Sequence, residues 1–123
     1  MPPAVFPTAA LEFIYNGQRI RKSVFGEDAD LFGEPAWDIL LDAAIMESRG
    51  KQVSVTSACL ASDVPSTTAL RYVTALEERG FLTRESDQFD NRKKYVRLTA
   101  KGRRVLKHYI DALNNASQAR SII

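Results

Sequence analysis

The sequence predicts a mostly helical α+β fold, in which helices form most of the chain and one small β-hairpin precedes the last helix. Two observations carry this prediction. Apolar residues recur at helical spacing in several separate stretches, and a turn-rich segment at 86–93 separates two short runs of β-forming residues. The chain has 123 residues, 45% of them hydrophobic, which is enough for one ordinary core. We therefore expect no second independent domain.

The N-terminal segment, residues 1–34, is predicted to form an arm that serves in dimerisation or packing. Its helix is expected from about Thr8 to Arg21, because Leu11, Ile14 and Tyr15 have helical spacing. The stretch Ser23–Gly33 combines glycines with acidic residues and is predicted to be a loop. A solvated acidic loop is favoured there over a metal site.

The next two helices are predicted on clearer signals. The first begins at Pro35, because proline suits a first helical turn, and it ends at Gly50. Its predicted apolar stripe consists of Trp37, Leu40, Leu41, Ala44 and Ile45. The second is short, Val55–Ser62, and Ser54 offers it an N-cap oxygen. We expect the chain to change direction at Asp63–Pro65.

A third helix, a hairpin and a last helix complete the predicted elements. The third helix begins near Pro65 or Ser66 and stops at Gly80. Its buried stripe is predicted to be Ala69, Tyr72, Val73 and Leu76. Strands at Phe81–Glu85 and Lys94–Leu98 form a two-stranded hairpin with a basic tip. Thr99 can cap a final helix that runs from about Ala100 to Asn115.

The order of these elements is helix, helix, turn, helix, strand, strand, helix, which is the order of a winged helix-turn-helix. We assign residues 35–99 to this predicted DNA-binding domain. Residues 100–123 are assigned to a C-terminal helix for dimerisation and a tail.

Charge is separated along the chain behind a formal net charge of +2. Residues 1–50 carry four basic side chains against eight acidic ones, whereas residues 79–107 carry ten basic against three acidic. A polyanion is attracted to the second stretch and repelled by the first half.

In a fold of this kind, the N-terminal part of the third helix reaches base edges in the major groove of DNA. Short hydroxyl side chains suit phosphates and thymine methyls, and an arginine can pair bidentately with guanine. The DNA contacts predicted for this helix are Ser66, Thr67, Thr68, Arg71 and Thr74. For Ser66 and Thr67, simple helix capping is the alternative.

The hairpin is the second predicted DNA-binding element, because a thin basic ribbon can follow the phosphate backbone or enter the minor groove. Asp90 precedes Arg92 by two residues, close enough for its carboxylate to hold the guanidinium in place. The contacts predicted for the wing are Arg84, Asp90, Arg92, Lys93, Lys94 and Arg97. A solvated charged face is the alternative.

Several runs of the sequence resemble a known family. Gly80-Phe-Leu-Thr-Arg84, Asp90-x-Arg92 and Val96-Arg-Leu-Thr-x-Lys-Gly102 resemble the wing of the MarR-type (multiple antibiotic resistance regulator) transcription factors. Thr67-Thr-Ala-Leu-Arg71, followed by Leu76-Glu-Glu-Arg-Gly80, is similar to the recognition helix of that family. The resemblance covers the chain from about Pro35 to Leu113.

The resemblance implies a homodimer that binds a pseudo-palindromic site in double-stranded DNA, with recognition helices in successive major grooves and wings on the flanking minor grooves. Arg71 would be a recognition-helix contact, and Arg92 a wing-tip contact oriented by Asp90. Dimer formation would fall to the terminal helices. The predicted dimer surface is Leu11, Ile14, Tyr15, Val105, Leu106, Tyr109, Ile110 and Leu113. Intramolecular packing of these residues is the alternative, and dimer geometry and any small-molecule effector stay open.

Other classes of function find little support in the sequence. No GxGxxG, P-loop, HExxH or G-x-S-x-G motif occurs, and the chain has one histidine and one cysteine, so we expect no enzyme, no metal and no cofactor. Cys59 is expected to be a buried structural thiol rather than a redox sensor. No apolar run approaches the roughly 18 residues of a membrane span, and a soluble cytoplasmic protein is predicted. The alternative function is a winged-helix module that binds protein and not DNA.

Overall fold

A computed structural model describes residues 8–122, and for Ala10 and residues 117–122 it describes the backbone only. Helices and a small sheet alternate along the chain, so the predicted mostly helical fold is confirmed. In chain order the elements are α1 (Thr8–Phe25), α2 (Ala36–Ser48), β1 (Val53–Ser54), α3 (Val55–Ala61), α4 (Ser66–Glu78), β2 (Leu82–Ser86), β3 (Lys94–Leu98) and α5 (Ala100–Ile122). A single 3₁₀ turn, Gly26–Asp28, follows α1.

The chain divides into two compact units. The central unit is Asp30–Arg104 and contains α2, α3, α4, the sheet and the first residues of α5. The terminal unit consists of the described residues up to Ala29 together with those from Val105 onward. These boundaries differ from the three segments predicted from sequence, because α5 contributes to both units.

The core of the central unit is built by side chains from α2, α3, α4 and the sheet, together with Phe81 just before β2. Its largest fully buried members are Ile39, Leu40, Val73, Leu76, Phe81 and Leu82. On α2 the predicted stripe is shifted, because Ile39 and Ala43 are buried whereas Ile45 is 46% exposed. Apolar residues occupy most positions of this helix, so their periodicity does not single out the buried face. On α4, Ala69, Val73 and Leu76 are buried as predicted, and Tyr72 is half-buried.

The sheet has three antiparallel strands in the order β1-β3-β2, one more than the predicted hairpin. The additional strand β1 pairs Val53 with Val96 of β3. It escapes sequence analysis because it has two residues and runs directly into α3, where Ser54 caps the helix as predicted by accepting a bond from the Ser57 amide at 3.0 Å. The sheet therefore ties the wing to the start of the helix-turn-helix.

The predicted loop Ser23–Gly33 was wrong in part. Helix α1 continues to Phe25, and Leu31 and Phe32 are buried. The Phe32 ring meets the Phe81 ring edge to face, with centroids 4.8 Å apart. Asp30 forms an ion pair with Arg79 at 3.0 Å. The end of this acidic segment is therefore packed into the central unit rather than solvated.

A tight joint connects the hairpin to α5. The Thr99 hydroxyl donates to the Gly80 carbonyl at 2.6 Å and accepts from the Gly102 amide at 3.0 Å, so Thr99 caps α5 as predicted. Gly80 has a left-handed φ of +83°, which ends the turn after α4. A Cβ at Gly102 would lie 2.5 Å from the Phe81 carbonyl oxygen, so only glycine fits there. These contacts explain why Gly80, Thr99 and Gly102 occupy their positions in the wing motif.

The terminal unit pairs α1 with the later part of α5. A Cβ at Gly17 would lie 3.0 Å from the Tyr109 hydroxyl oxygen, so the helices approach closely at this glycine. The predicted dimer residues differ in exposure. Leu11, Ile14, Tyr15 and Ile110 are about half exposed, Val105, Tyr109 and Leu113 are half-buried, and Leu106 is buried.

Candidate nucleic-acid interface

Helix α4 presents a polar face to solvent near its N-terminus. Ser66, Thr67 and Arg71 are exposed, and Thr68 is half-buried. Leu70 lies on the same face and is 42% exposed. The N-cap of α4 is Pro65, so neither Ser66 nor Thr67 caps the helix. Three of the predicted contacts are thus free of a capping role and accessible to a ligand.

Thr74 and Arg84 differ from the other predicted contacts, because they bond to each other and Arg84 also bonds to Glu77. The Arg84 guanidinium donates to Glu77 Oε1 at 2.9 Å and to Thr74 Oγ1 at 3.1 Å. The Thr74 hydroxyl donates in turn to the Leu70 carbonyl. The side chain of Arg84 is 27% exposed. Its geometry is that of a residue that fixes the wing strand β2 to α4, rather than one that reaches outward.

The same contacts perturb the ionisation of Glu77. Hydrogen bonds from the Arg84 side chain hold the pKa of the Glu77 carboxyl below its usual value, against the opposing effect of desolvation. The Arg84 amide also donates to Glu77 Oε2 at 3.2 Å. The Glu77 carboxylate, bound by the backbone and the side chain of Arg84, is charged at neutral pH. It holds β2 in place against α4.

At the tip of the hairpin, Asp90 holds Arg92 as predicted from their spacing. Asp90 Oδ1 accepts from the Arg92 amide at 3.0 Å and from Arg92 Nε at 3.1 Å. The Arg92 side chain is nevertheless 91% exposed. Lys93 is exposed beside it. The tip therefore offers an oriented guanidinium and an ammonium group to solvent.

Asp87 anchors the tip and was not among the predicted site residues. Its Oδ1 accepts from the amides of Phe89 and Asp90 at 2.8 and 3.1 Å, and its Oδ2 accepts from the Tyr95 hydroxyl at 2.9 Å. Hydrogen bonds from the Phe89 amide and the Tyr95 hydroxyl lower the pKa of Asp87. The bond between Tyr95 and Asp87 also raises the pKa of Tyr95. Aspartates in turns often accept hydrogen bonds from the backbone amides two and three residues later. This preference is the sequence signal that could have identified Asp87.

The remaining predicted cations lie along the hairpin. Lys94 donates to Ser86 at 3.0 Å, and Arg97 pairs with Glu85 at 3.2 Å across the two strands. Both basic residues are exposed. These cross-strand pairs hold positive charge along the ribbon behind the tip.

Leu70 is the other residue that the sequence interpretation missed on this surface. Its position, three residues after Thr67 and four after Ser66, already places it on the same side of the helix as both. Apolar side chains on a recognition helix contact thymine methyl groups.

Cys59 is buried, as expected, with 7% exposure. Burial raises the pKa of its thiol, and the nearby charge of Arg84 opposes that effect. Among the described residues, no group of histidine, cysteine, aspartate and glutamate has the arrangement of a metal site. Over the same residues, every helix is too short or too polar to cross a lipid bilayer.

Comparison with family models identifies the class of this chain. Residues 41–102 match the model of a winged helix DNA-binding domain, and this range spans half of the sequence. The chain therefore belongs to the winged helix DNA-binding domain family. All predicted DNA contacts, from Ser66 to Arg97, lie inside the matched range.

Solved structures share the fold. Transcriptional regulator Tm0710 from Thermotoga maritima superposes with a TM-score of 0.68 at 21% identity, covering 91% of this chain and 75% of that one. RV1404 from Mycobacterium tuberculosis gives 0.74 at 18% identity, covering 94% and 72%. A mutant of MarR from E. coli gives 0.61 at 13% identity, covering 96% and 84%. The MarR-type resemblance is thus confirmed in the fold. No curated protein sequence matches the chain.

Proposed function

We propose that this winged helix protein is a sequence-specific transcription regulator that binds a pseudo-palindromic site in double-stranded DNA as a homodimer. The observation that carries the proposal is the pairing of α4 with the wing. Arg84 joins both elements through Glu77 and Thr74, so strand β2 of the wing is fixed to the helix that carries the exposed surface of Ser66, Thr67 and Arg71. A surface of this kind suits two adjacent grooves of one duplex.

The roles of the side chains follow from their placement. Arg71 is assigned to a guanine edge in the major groove, where a bidentate pair contributes about 1–3 kcal/mol of discrimination. Ser66, Thr67 and Thr68, at the helix start, are assigned to phosphates and thymine methyls. Leu70 adds an apolar contact beside them. Thr74 and Arg84 position the two elements and are not assigned direct contacts.

On the wing, Arg92 is assigned to the minor groove, with its guanidinium oriented by Asp90. Lys93, Lys94 and Arg97 are assigned to the phosphate backbone. Narrow minor grooves concentrate negative potential and attract arginine, so a guanidinium that is 91% exposed and already oriented is suited to that position.

The homodimer is proposed to form through the terminal unit. Leu11, Ile14 and Tyr15 lie on one face of α1 and are 51–58% exposed, and Ile110 of α5 is 52% exposed. Apolar residues grouped on one helix face are typical of a surface that a partner covers. A second copy of the chain would also supply the second recognition helix that a pseudo-palindrome requires.

The test is selection of duplexes from a random library, followed by fluorescence anisotropy across a salt series. We compare wild type with Arg71→Ala and with the double variant Arg92→Ala, Lys93→Ala. The matched control is Arg49→Ala with Lys51→Ala, which removes two exposed cations of the central unit that lie outside α4 and the wing.

Wild type should enrich one sequence, and its log K should fall linearly with log salt. The wing double variant should lose about one unit of slope for each cation that it removes, and Arg71→Ala should relax base preference. The control should keep the wild-type slope. Absence of enrichment together with equal slopes for all variants would overturn the proposal and favour a protein-binding module.

A further inference from the structure

Phe89 lies at the tip of the wing and points its ring away from the protein. Its 91% exposure is the highest of any large hydrophobic side chain in the described residues, and Leu60 follows at 74%. Single exposed apolar residues are common on protein surfaces. Phe89 differs from such residues because its ring is almost wholly in water at the end of a basic hairpin. The fold of the tip does not need an apolar side chain at this position.

The backbone around Phe89 is fixed. Its amide donates to Asp87 Oδ1 at 2.8 Å, the Asp87 amide donates to the Lys93 carbonyl at 2.8 Å, and the Lys93 amide donates to the Asp90 carbonyl at 3.0 Å. These bonds close the loop on both sides of Phe89. The ring is therefore presented by an ordered turn, which lowers the entropic cost of burying it against a ligand.

The charges beside Phe89 indicate the chemistry of that ligand. Arg92 and Lys93 are exposed on the same tip. The carboxylates of Asp87 and Asp90 bond to protein donors, Tyr95 and Arg92 among them, and so offer less negative potential to a ligand. An exposed apolar ring on the same tip as two exposed cations matches the minor groove of DNA, where apolar deoxyribose walls lie between phosphates.

We propose that Phe89 is an apolar wedge that enters the minor groove beside Arg92 and packs against the deoxyribose walls. This inference rests on the proposed DNA-binding function and adds to it a contact that carries no charge. The wing then recognises the groove through two different properties, its negative potential through Arg92 and its apolar walls through Phe89.

The test compares Phe89→Ala and Phe89→Leu with wild type, and Gln88→Ala serves as the control at the neighbouring exposed position. The probe is the duplex that wild type selects from a random library. Binding is measured across a salt series, and hydroxyl-radical footprinting reports which deoxyriboses of the minor groove the protein covers. Thermal unfolding checks that each variant is folded, and an exposed ring should leave the midpoint unchanged.

Phe89→Ala should bind about tenfold more weakly for each ring removed, and a dimer loses two rings. Its salt slope should match wild type because no cation is lost. Protection of the deoxyriboses under the wing should disappear, while protection by α4 remains. Phe89→Leu should retain most of the affinity, and Gln88→Ala should equal wild type.

The inference is overturned if Phe89→Ala keeps the wild-type affinity or the wild-type footprint while Arg92→Ala still weakens binding. In that case the proposed DNA-binding function stands without the wedge. If wild type itself selects no duplex and binds without salt dependence, the proposed function and the wedge fail together.

Discussion

Gly102 gives a sharp test of the joint at the residue scale. Because a Cβ there would lie 2.5 Å from the Phe81 carbonyl oxygen, Gly102→Ala must displace backbone. We expect a loss of about 1–3 kcal/mol in the free energy of unfolding, measured with chemical denaturant. Gly33→Ala is the control, since a Cβ there meets nothing within 4 Å. Equal stability of the two variants would contradict this account of the joint.

The Glu77–Arg84 contact should make stability depend on pH. Because Arg84 lowers the pKa of Glu77 in the folded chain, the contact stabilises the fold above the ordinary value of 4.5 and is lost as pH falls through the lowered pKa. Glu77→Gln should therefore be less stable than wild type at neutral pH, by about 1 kcal/mol. The difference should shrink as the solution is acidified below 4.5.

Denaturant unfolding at a series of pH values measures this effect. Glu78→Gln, at the next and exposed position of α4, is the matched control and should stay within about 0.5 kcal/mol of wild type at neutral pH. A constant difference between Glu77→Gln and wild type from neutral to acid pH would count against the role assigned to this carboxylate.

At the scale of elements, the wing depends on Asp87 for its shape. Asp87→Asn keeps an oxygen acceptor for the Phe89 amide and removes a negative charge, whereas Asp87→Ala removes both. If charge alone governs binding, both variants should bind DNA more tightly. We expect Asp87→Ala to bind more weakly, by about 1 kcal/mol, because the tip loses its anchor. Asp87→Asn should bind at least as tightly as wild type.

Anisotropy titration of the selected duplex compares the two variants, and hydrogen exchange of the amides at 87–93 reports the order of the tip. Faster exchange should accompany weaker binding in Asp87→Ala only. Tighter binding by Asp87→Ala would mean that the tip does not need this anchor.

The elements could be predicted from sequence where one signal dominated. Helix α4 has a clear apolar stripe, a proline before it and a glycine after it, and its bounds agree with the prediction within two residues. The buried face of α2 could not be predicted, because that helix is apolar on most sides. Strand β1 could not be predicted either, since a two-residue strand exists only through its pairing with Val96.

At the scale of the whole molecule, the homodimer proposal has a direct test in the terminal unit. Ile14→Glu places a charge on the exposed apolar face of α1 and should yield a monomer, because burying an unpaired carboxylate costs several kcal/mol. Phe13→Glu is the control, since Phe13 is 51% exposed on another face of the same helix. Analytical ultracentrifugation measures the mass of both variants and of wild type.

A monomeric Ile14→Glu should also lose most of its affinity for the selected duplex while keeping the fold of the central unit. If both variants and wild type have the mass of a dimer, the proposed interface is in the wrong place. If wild type is a monomer, the proposed dimer itself is contradicted.

The exposed residues of the candidate site were predictable in outline, and most of its internal contacts were not. The apolar stripe of α4 left Ser66, Thr67 and Arg71 on the other face, where they are exposed, and the spacing of Asp90 and Arg92 predicted their bond. Composition could not distinguish Arg84, which is held by α4, from Arg92, which is exposed, because both are arginines of one basic hairpin. That distinction depends on Glu77, which lies seven residues from Arg84 and is brought to it by the turn at Gly80.

The buried Cys59 can serve as a reporter of local opening in the central unit. The chain has one cysteine, and its thiol is shielded from water and harder to ionise than a free one. An alkylating reagent can therefore reach it only when α3 separates from its neighbours. The rate of Cys59 alkylation therefore reports how often the structure opens locally around α3. The measurement needs no added dye and no engineered residue.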